Sequence, residues 1–167
     1  MHRKRVQEKY YSYEQILNKA MKYCARYESS EWQVLNKMMQ WGSLPIDRER
    51  IIKILKEQRF VDDVRFAEAF VKDKLKFKGW GKKKIQAHLQ AKGVSKSIIL
   101  SALNNLDDIE YVQKAMDLAK RKLELLKKEK DASTKKAKLF RYLLQKGFGA
   151  ELAYQCLEQL TALKNER

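Results

Sequence analysis

The sequence predicts an all-α protein of three tandem three-helix repeats, which are helix-turn-helix-like units in an elongated, curved arrangement. Three observations predict this fold class. The 167 residues include one Pro and six Gly, so the chain carries few signals for strands or tight turns. Apolar residues recur at helical spacing along most of the chain. A pattern of apolar positions around a Gly also occurs three times, which indicates an internal repeat.

The repeat is centred on Gly42, Gly93 and Gly147, each of which follows an aromatic residue or Lys. Apolar side chains stand four and eight residues before each Gly, at spacings that share one face of a helix. These side chains are Met38 and Val34, Leu89 and Ile85, and Leu143 and Leu139. A Gly at this point suits the left-handed turn that ends many helices. We therefore predict a helix that ends at each Gly.

A second helix is predicted after each Gly, because apolar residues recur there at matching distances. In the first repeat four extra residues, including Pro45, precede this helix. Its apolar positions are Ile51, Ile52 and Leu55 in the first repeat, Ile98, Ile99, Ala102 and Leu103 in the second, and Leu152, Ala153, Cys156 and Leu157 in the third.

A third helix is predicted at the start of each repeat, near residues 13–25, 64–77 and 109–128. The last of the three carries an apolar stripe on Val112, Ala115, Met116, Ala119, Leu123 and Leu126. Polar residues that can accept bonds from free amides mark helix starts, namely Ser30 with Gln33 as a capping box, and Asp63, Ser95 and Thr134.

Nine helices in three triplets set the predicted domain limits. The repeats span residues 12–60, 61–106 and 107–163, and a basic N-terminal extension occupies residues 1–11. Residues 127–136 include five Lys and are predicted to form a flexible joint, either as a plain solvated loop or with a binding role.

The charge of the chain favours a polyanionic partner. Lys and Arg number 37 against 21 Asp and Glu, which gives a net charge of +16. Eight Lys and one acidic residue lie from Lys72 to Lys92, and eleven basic and four acidic residues lie from Lys114 to Arg141. These two tracts predict a continuous positive surface for phosphate oxygens, without base-specific contacts.

Several other classes of function are not supported. The two His have no ligand partners at metal-binding spacing, and no phosphate-cradling loop or activated nucleophile is present, so we expect neither a cofactor nor catalysis. The pair Asp62-Asp63 is better explained by helix capping and by an ion pair with Arg65 in the same turn.

The expected compartment is a reducing cytoplasm without membrane attachment. No apolar run approaches the ~20 residues that span a bilayer, and the basic start of the chain lacks the apolar segment of a secretory signal. Cys24 and Cys156 both lie in apolar helical patterns and are predicted to be small buried side chains.

The run from Phe60 to Ala67, with Asp62-Asp63 and Arg65-Phe66-Ala67, resembles the most recognisable motif of the RecX family of recombinase regulators. The residues that follow are similar to the family as well, namely Gly79-Trp80-Gly81, Lys84-Ile85, Leu89, Lys92-Gly93-Val94, and Ile98 through Ala102-Leu103. The resemblance covers about residues 10–162. Arg59 stands where the family usually has Gly, so the preceding helix is expected to end without its usual left-handed Gly.

The resemblance implies the same repeat fold and a role in DNA repair and the SOS response. Members of this family bind the RecA nucleoprotein filament in its groove and suppress strand exchange, ATP hydrolysis and co-protease activity. The implied partners are the RecA filament and its single-stranded DNA, bound by a monomer. We predict contacts from the middle repeat and then from the last, namely Arg65, Lys76, Lys78, Trp80, Lys82, Lys83, Lys84, Lys135, Lys136 and Arg141.

Two alternative functions and the role of Trp80 stay open. The chain could be a sequence-independent DNA- or RNA-binding module without a recombinase partner. It could also be a protein-only adaptor whose repeats present a concave face. Trp80 could stack on a base or guanidinium, or it could fill the junction between repeats.

Overall fold

The protein is described by a computed structural model of residues 11–165. The predicted extension at 1–11 lies outside the described residues except for Tyr11. Within the described part of the chain every regular element is an α-helix, which confirms the all-α prediction. The helices are α1 Tyr13–Arg26, α2 Glu31–Gln40, α3 Pro45–Glu57, α4 Asp63–Lys78, α5 Lys82–Gln90, α6 Lys96–Asn104, α7 Asp108–Leu125, α8 Ala132–Lys146 and α9 Ala150–Asn165.

The described residues form two compact units. The first contains the residues up to Phe66 together with Lys92–Val94, and the second contains Ala67–Ala91 and the residues from Ser95 onward. In the first unit α1, α2 and α3 pack against one another. In the second unit α7, α8 and α9 pack together, and α5 packs on α6. The residue limits assigned to the three repeats from the sequence stay a prediction.

The apolar positions of the repeat form the cores. The six side chains that precede the glycines at four and eight residues are all buried. After each Gly, Ile52, Ile99 and Ala153 are buried as expected, and Ile98 and Leu152 are half-buried. Cys156 is buried, whereas Cys24 is only half-buried, and burial raises the pKa of the Cys24 thiol to about 11.

At one apolar position the prediction of burial is wrong. Val112 is 42% exposed, and Tyr111 is buried in its place. Tyr111 lies 5.3 Å from Phe148 between ring centroids, and its hydroxyl accepts a bond from the amide of Lys82. A Tyr can be buried when its hydroxyl finds such a partner, and no pattern of apolar residues reports that partner.

Two of the helix caps predicted from the sequence are confirmed, and two others are corrected. Ser30 and Gln33 form the capping box of α2, and Ser95 accepts the amide of Ile98 at α6. The carboxylate of Asp62, rather than of Asp63, accepts the first amides of α4, those of Val64 and Arg65.

The cap of α8 is Asp131, which accepts the amide of Thr134, so Thr134 lies inside the helix. Because α8 begins at Ala132, half of the predicted joint at 127–136 is helical. The prediction of a flexible joint across this whole segment is therefore wrong.

The glycines that end the second helices are left-handed, with φ of 77° at Gly42, 73° at Gly93 and 93° at Gly147. In the first unit, the start of α2 packs against Gly93. The hydroxyl of Ser30 donates to the carbonyl of Lys92 at 2.7 Å, and a Cβ on Gly93 would lie 2.5 Å from the Cβ of Trp32.

In the second unit, the start of α5 packs against the glycine that ends α8 in the same way. The amide of Gly81 donates to the carbonyl of Lys146 at 2.8 Å, and the amide of Lys83 donates to that of Gly147 at 3.1 Å. A Cβ on Gly147 would collide with Lys84. At Gly42, by contrast, a Cβ would meet nothing within 4 Å among the described residues. Two of the three glycines are therefore sites of close helix contact, and the third only ends its helix.

Candidate functional site

Six of the ten predicted contact residues lie in the turn between α4 and α5 or in the helix ends beside it. The turn consists of Gly79, Trp80 and Gly81, with Lys76 and Lys78 before it. Gly79 has φ of 60°, and a Cβ there would lie 2.9 Å from Leu118 of α7. The turn is therefore fixed by a left-handed glycine that packs directly on another helix.

Lysines from α7 and α8 bind the end of α4. The ammonium of Lys114 donates to the carbonyl of Lys76 at 2.7 Å, and that of Lys146 donates to the carbonyl of Lys78 at 3.4 Å. The last carbonyls of a helix have no partner within it and carry the negative end of its dipole, so cations stabilise them. These bonds concentrate basic side chains around the turn.

The three lysines that begin α5 differ in their surroundings. The ammonium of Lys82 lies 3.3 Å from Asp108 and 4.9 Å from the ring centroid of Tyr111. The ammonium of Lys84 lies 5.1 Å from the centroid of Trp80. The side chain of Lys83 is exposed and has no hydrogen bond or ion pair in the described structure. Lys83 is therefore the most available cation of the three.

Trp80 is half-buried and stacks on His88, with ring centroids 4.4 Å apart and an angle of 28° between the planes. The ammoniums of Lys74 and Lys84 lie 5.6 Å and 5.1 Å from its centroid. These contacts within the protein favour the packing role for Trp80. Its stacking on a nucleic-acid base stays a prediction.

The predicted contacts of α8 lie on two different sides of the helix. Lys136 lines a groove between α8 and α9, together with Phe140 and Tyr154. Lys135 lines a neighbouring cavity of about 160 Å³. Arg141 instead lines a pocket between α7 and α8.

Arg65 belongs to the first unit, and its guanidinium is already engaged. It pairs with Glu28 at 3.0 Å and donates to the carbonyl of Arg59 at 3.1 Å. The hydrogen bond to Glu28 raises the pKa of Arg65 above its usual value. The partner predicted within the same turn, Asp62 or Asp63, is therefore replaced by Glu28. Asp63 accepts the amide of Glu31 at 2.8 Å and so caps α2.

Lys114, Lys122 and Lys146 were not predicted as contact residues from the sequence. Lys114 and Lys146 bond to residues 38 and 68 positions away, respectively. No periodicity within a helix reports such contacts. The presence of Lys114 and Lys122 in the second basic tract was the one signal that the sequence offered, and Lys146 lies outside both tracts.

Neither a metal site nor a membrane-spanning helix is present among the described residues. Residues 11–165 contain no cluster of three or more His, Cys, Asp or Glu that could hold a metal ion. None of the described helices combines the length and the apolar character needed to cross a membrane.

The fold and the site define an all-helical protein whose second unit gathers basic side chains around one turn between helices. Family models described as the second and third three-helix domains of RecX match residues 62–103 and 108–157. The chain belongs to the RecX family. This membership confirms the resemblance found in the sequence.

Curated relatives carry the name regulatory protein RecX. The protein of Clostridium botulinum (strain Eklund 17B) is 39% identical over 134 residues, which cover 80% of this chain and 62% of that protein. The protein of Clostridium perfringens (strain SM101) is 33% identical over 145 residues, which cover 86% of this chain and 68% of that protein. The chain thus spans roughly two thirds of the length of these relatives.

Solved structures support the fold. The crystal structure of RecX from Lactobacillus salivarius superposes with a TM-score of 0.82 at 23% identity and covers 90% of this chain and 97% of that one. A crystal structure of regulatory protein RecX gives a TM-score of 0.77 at 21% identity, covering 87% of this chain and 73% of that one.

Proposed function

We propose that this chain regulates the RecA recombinase by binding its nucleoprotein filament and lowering its recombinase, ATPase and co-protease activities. The observation that carries the proposal is the basic turn between α4 and α5, which α7 and α8 hold in place. Membership of a family whose curated relatives are named regulatory proteins supports it. In this proposal the chain acts in the cytoplasm as a monomer.

The partner surface is the single-stranded DNA within the filament together with the surrounding recombinase. A net charge of +16 attracts such a polyanion over several ångströms and speeds the encounter. Because the cations meet phosphates rather than base edges, binding is independent of nucleotide sequence. Specificity for the filament then comes from shape and from contacts with protein.

The structure divides the predicted contact residues by availability. Lys76, Lys78 and Lys83 are exposed, and none of the three pairs with a carboxylate in the described structure. Lys82 pairs with Asp108 and Arg65 with Glu28, so the charges of these two side chains are partly neutralised within the protein. We therefore assign the strongest filament contacts to Lys78 and Lys83.

The test is the ATPase activity of RecA on single-stranded DNA, titrated with this protein. The wild-type chain should lower the rate, and the double variant K78E/K83E should require at least ~10-fold more protein, since each reversed charge removes a phosphate contact and adds a repulsion. Lys82 is left intact, because K82E would place a carboxylate beside Asp108.

The matched control is K96E/K130E, which makes the same change of charge at two exposed lysines of the same unit. This control should inhibit nearly as well as the wild type, and both variants should keep the same helical content by circular dichroism. Equal inhibition by all three proteins would refute the assignment of the surface. No inhibition by the wild type would refute the proposed function.

The alternative function is sequence-independent binding of DNA or RNA without a recombinase partner. The net charge of +16 and the exposed Lys76, Lys78 and Lys83 favour it, because such cations can contact the phosphates of any nucleic acid. Binding to bare oligonucleotide as tight as binding to the filament would favour this alternative. Association that does not respond to salt would instead favour the protein-only adaptor.

A further inference from the structure

A basic pocket lies between α7 and α8 in the second unit. Its volume is about 200 Å³, several times the ~30 Å³ that one water molecule occupies in the liquid. The residues that line it are Lys122, Lys138, Arg141, Tyr142 and Gln145. The four on α8 share one face of the helix at spacings of three, four and seven residues, and Lys122 meets them from the last turn of α7.

The charges of the pocket are only partly compensated. Lys138 pairs with Glu129, which comes from the connection between α7 and α8. Lys122 and Arg141 have no carboxylate partner among the described ion pairs. Two like charges at the rim of one concavity repel each other, and a bound anion would relieve that repulsion.

Two ammonium groups lie over the ring of Tyr142, which lines the pocket. The ammonium of Lys122 lies 5.3 Å from its centroid, and that of Lys146 lies 5.7 Å from it. Such cation–π contacts restrict where the two lysines point. The positive charge is therefore held in place rather than spread over freely rotating side chains.

We propose that this pocket binds a phosphate group of a nucleic-acid backbone. The guanidinium of Arg141 offers the planar fork that matches phosphate oxygens, and Lys122 adds a point charge. The amide of Gln145 and the hydroxyl of Tyr142 can donate further bonds without adding charge. No carboxylate lines the pocket, so none competes with the phosphate.

The pocket is connected to the basic turn by Lys146. This side chain donates to the carbonyl of Lys78 and also lies over Tyr142. A strand that follows the exposed lysines of the turn could therefore place another phosphate at Arg141. The inference rests on the proposed function in its choice of nucleic acid as the source of the phosphate.

The test measures binding of an oligothymidylate to the full chain as a function of salt concentration. The variant K122Q/R141Q removes the two unpaired cations. Its affinity should fall about 10-fold, and its slope of log affinity against log salt should shrink by about 1.4, since each contact to a single strand contributes about 0.7.

The matched control is K120Q/R121Q, which removes two exposed positive charges from the same helix, next to Lys122 but outside the pocket. The control should stay within about twofold of the wild type in affinity, because neither side chain lines the pocket and no phosphate contact is lost. Equal losses of affinity in the two double variants would overturn the proposal that this pocket binds a phosphate.

An NMR titration separates the possible sources of the phosphate. Adding the oligothymidylate should shift the Arg141 Nε–H and Gln145 side-chain amide signals of the wild type. If inorganic phosphate shifts them at equal phosphate concentration and the oligonucleotide does not, the nucleic-acid assignment is overturned.

The ATPase titration of RecA keeps the two proposals distinguishable. If K122Q/R141Q binds DNA and inhibits like the wild type, the pocket fails and the proposed function stands. If the wild type does not inhibit but the variant shows the smaller salt slope, the proposed function fails and the pocket stands.

Discussion

Arg59 adopts a backbone conformation that its side chain disfavours. Its φ is 58°, and it is the one described residue other than Gly with a positive φ. The family resemblance led us to expect that α3 would end without its usual left-handed Gly, and the helix instead ends on a left-handed Arg. The carbonyl of Arg59 accepts a bond from Arg65, which helps to hold this turn before α4.

We expect R59G to be more stable than the wild type by about 1 kcal/mol. The Cβ of an L-residue in the left-handed region costs about 1–2 kcal/mol, and the greater freedom of Gly in the unfolded chain offsets part of this gain. The Arg65 bond should persist, because it uses the carbonyl of residue 59. Urea denaturation followed by circular dichroism measures the difference.

R59A is the control for the loss of the side chain alone, because Ala keeps the strained Cβ. It should be no more stable than the wild type. If R59A and R59G gain equally, strain in the backbone is not the cause.

The three glycines that end helices show how packing against a second helix changes the role of a glycine. Gly42, Gly93 and Gly147 occupy the same place in the repeat and share a left-handed backbone. Only Gly93 and Gly147 lie against the start of another helix. The same residue type at the same motif position therefore has two roles, and packing decides which applies.

We predict that G93A destabilises the protein by roughly 2 kcal/mol more than G42A. Both variants place a Cβ in the left-handed region, which costs about 1 kcal/mol each. G93A must also push Trp32, and α2 with it, away from residue 93 and lose the bond from Ser30 to the carbonyl of Lys92, which is worth about 1 kcal/mol. Free energies of unfolding from urea titrations compare the two.

G81A isolates the contact from the strain, because Gly81 has an ordinary φ of −81°. Its Cβ would collide with the backbone of Gly147. G81A should therefore be strongly destabilising although no left-handed conformation is involved. A cost for G81A and G93A no greater than for G42A would contradict this account of the junctions.

At the scale of the whole molecule, we expect repulsion among cations to outweigh the attractive pairs. The chain carries a net charge of +16, and in four of its five described ion pairs the lysine or arginine side chain is solvent-exposed. Exposed pairs contribute about 0–1 kcal/mol each, whereas a large net charge of one sign opposes the compact state.

We therefore expect added NaCl to raise the melting temperature by several degrees. An increase in ionic strength from about 0.01 M to about 0.15 M shortens the screening length from about 30 Å to about 8 Å, which weakens long-range repulsion more than short ion pairs. Differential scanning fluorimetry without DNA measures the shift. KCl at equal concentration is the control, and a melting temperature that falls with salt would contradict the expectation.

The sequence alone determined the helices, the buried positions around each glycine, the total charge and the family. These features depend on spacings within about one or two helical turns or on composition, so they can be read along the chain. Even the errors at Asp63, Thr134 and Val112 concern exact positions within elements that were correctly found.

Only the tertiary structure decided which basic side chains are available. Lys82 meets Asp108 from 26 residues away, and Lys146 meets Lys78 from 68 residues away. Such pairs form because separate helices pack together, and local sequence carries no record of the partner. For the same reason, the pocket of Lys122 and Arg141 became visible only once α7 and α8 were placed side by side.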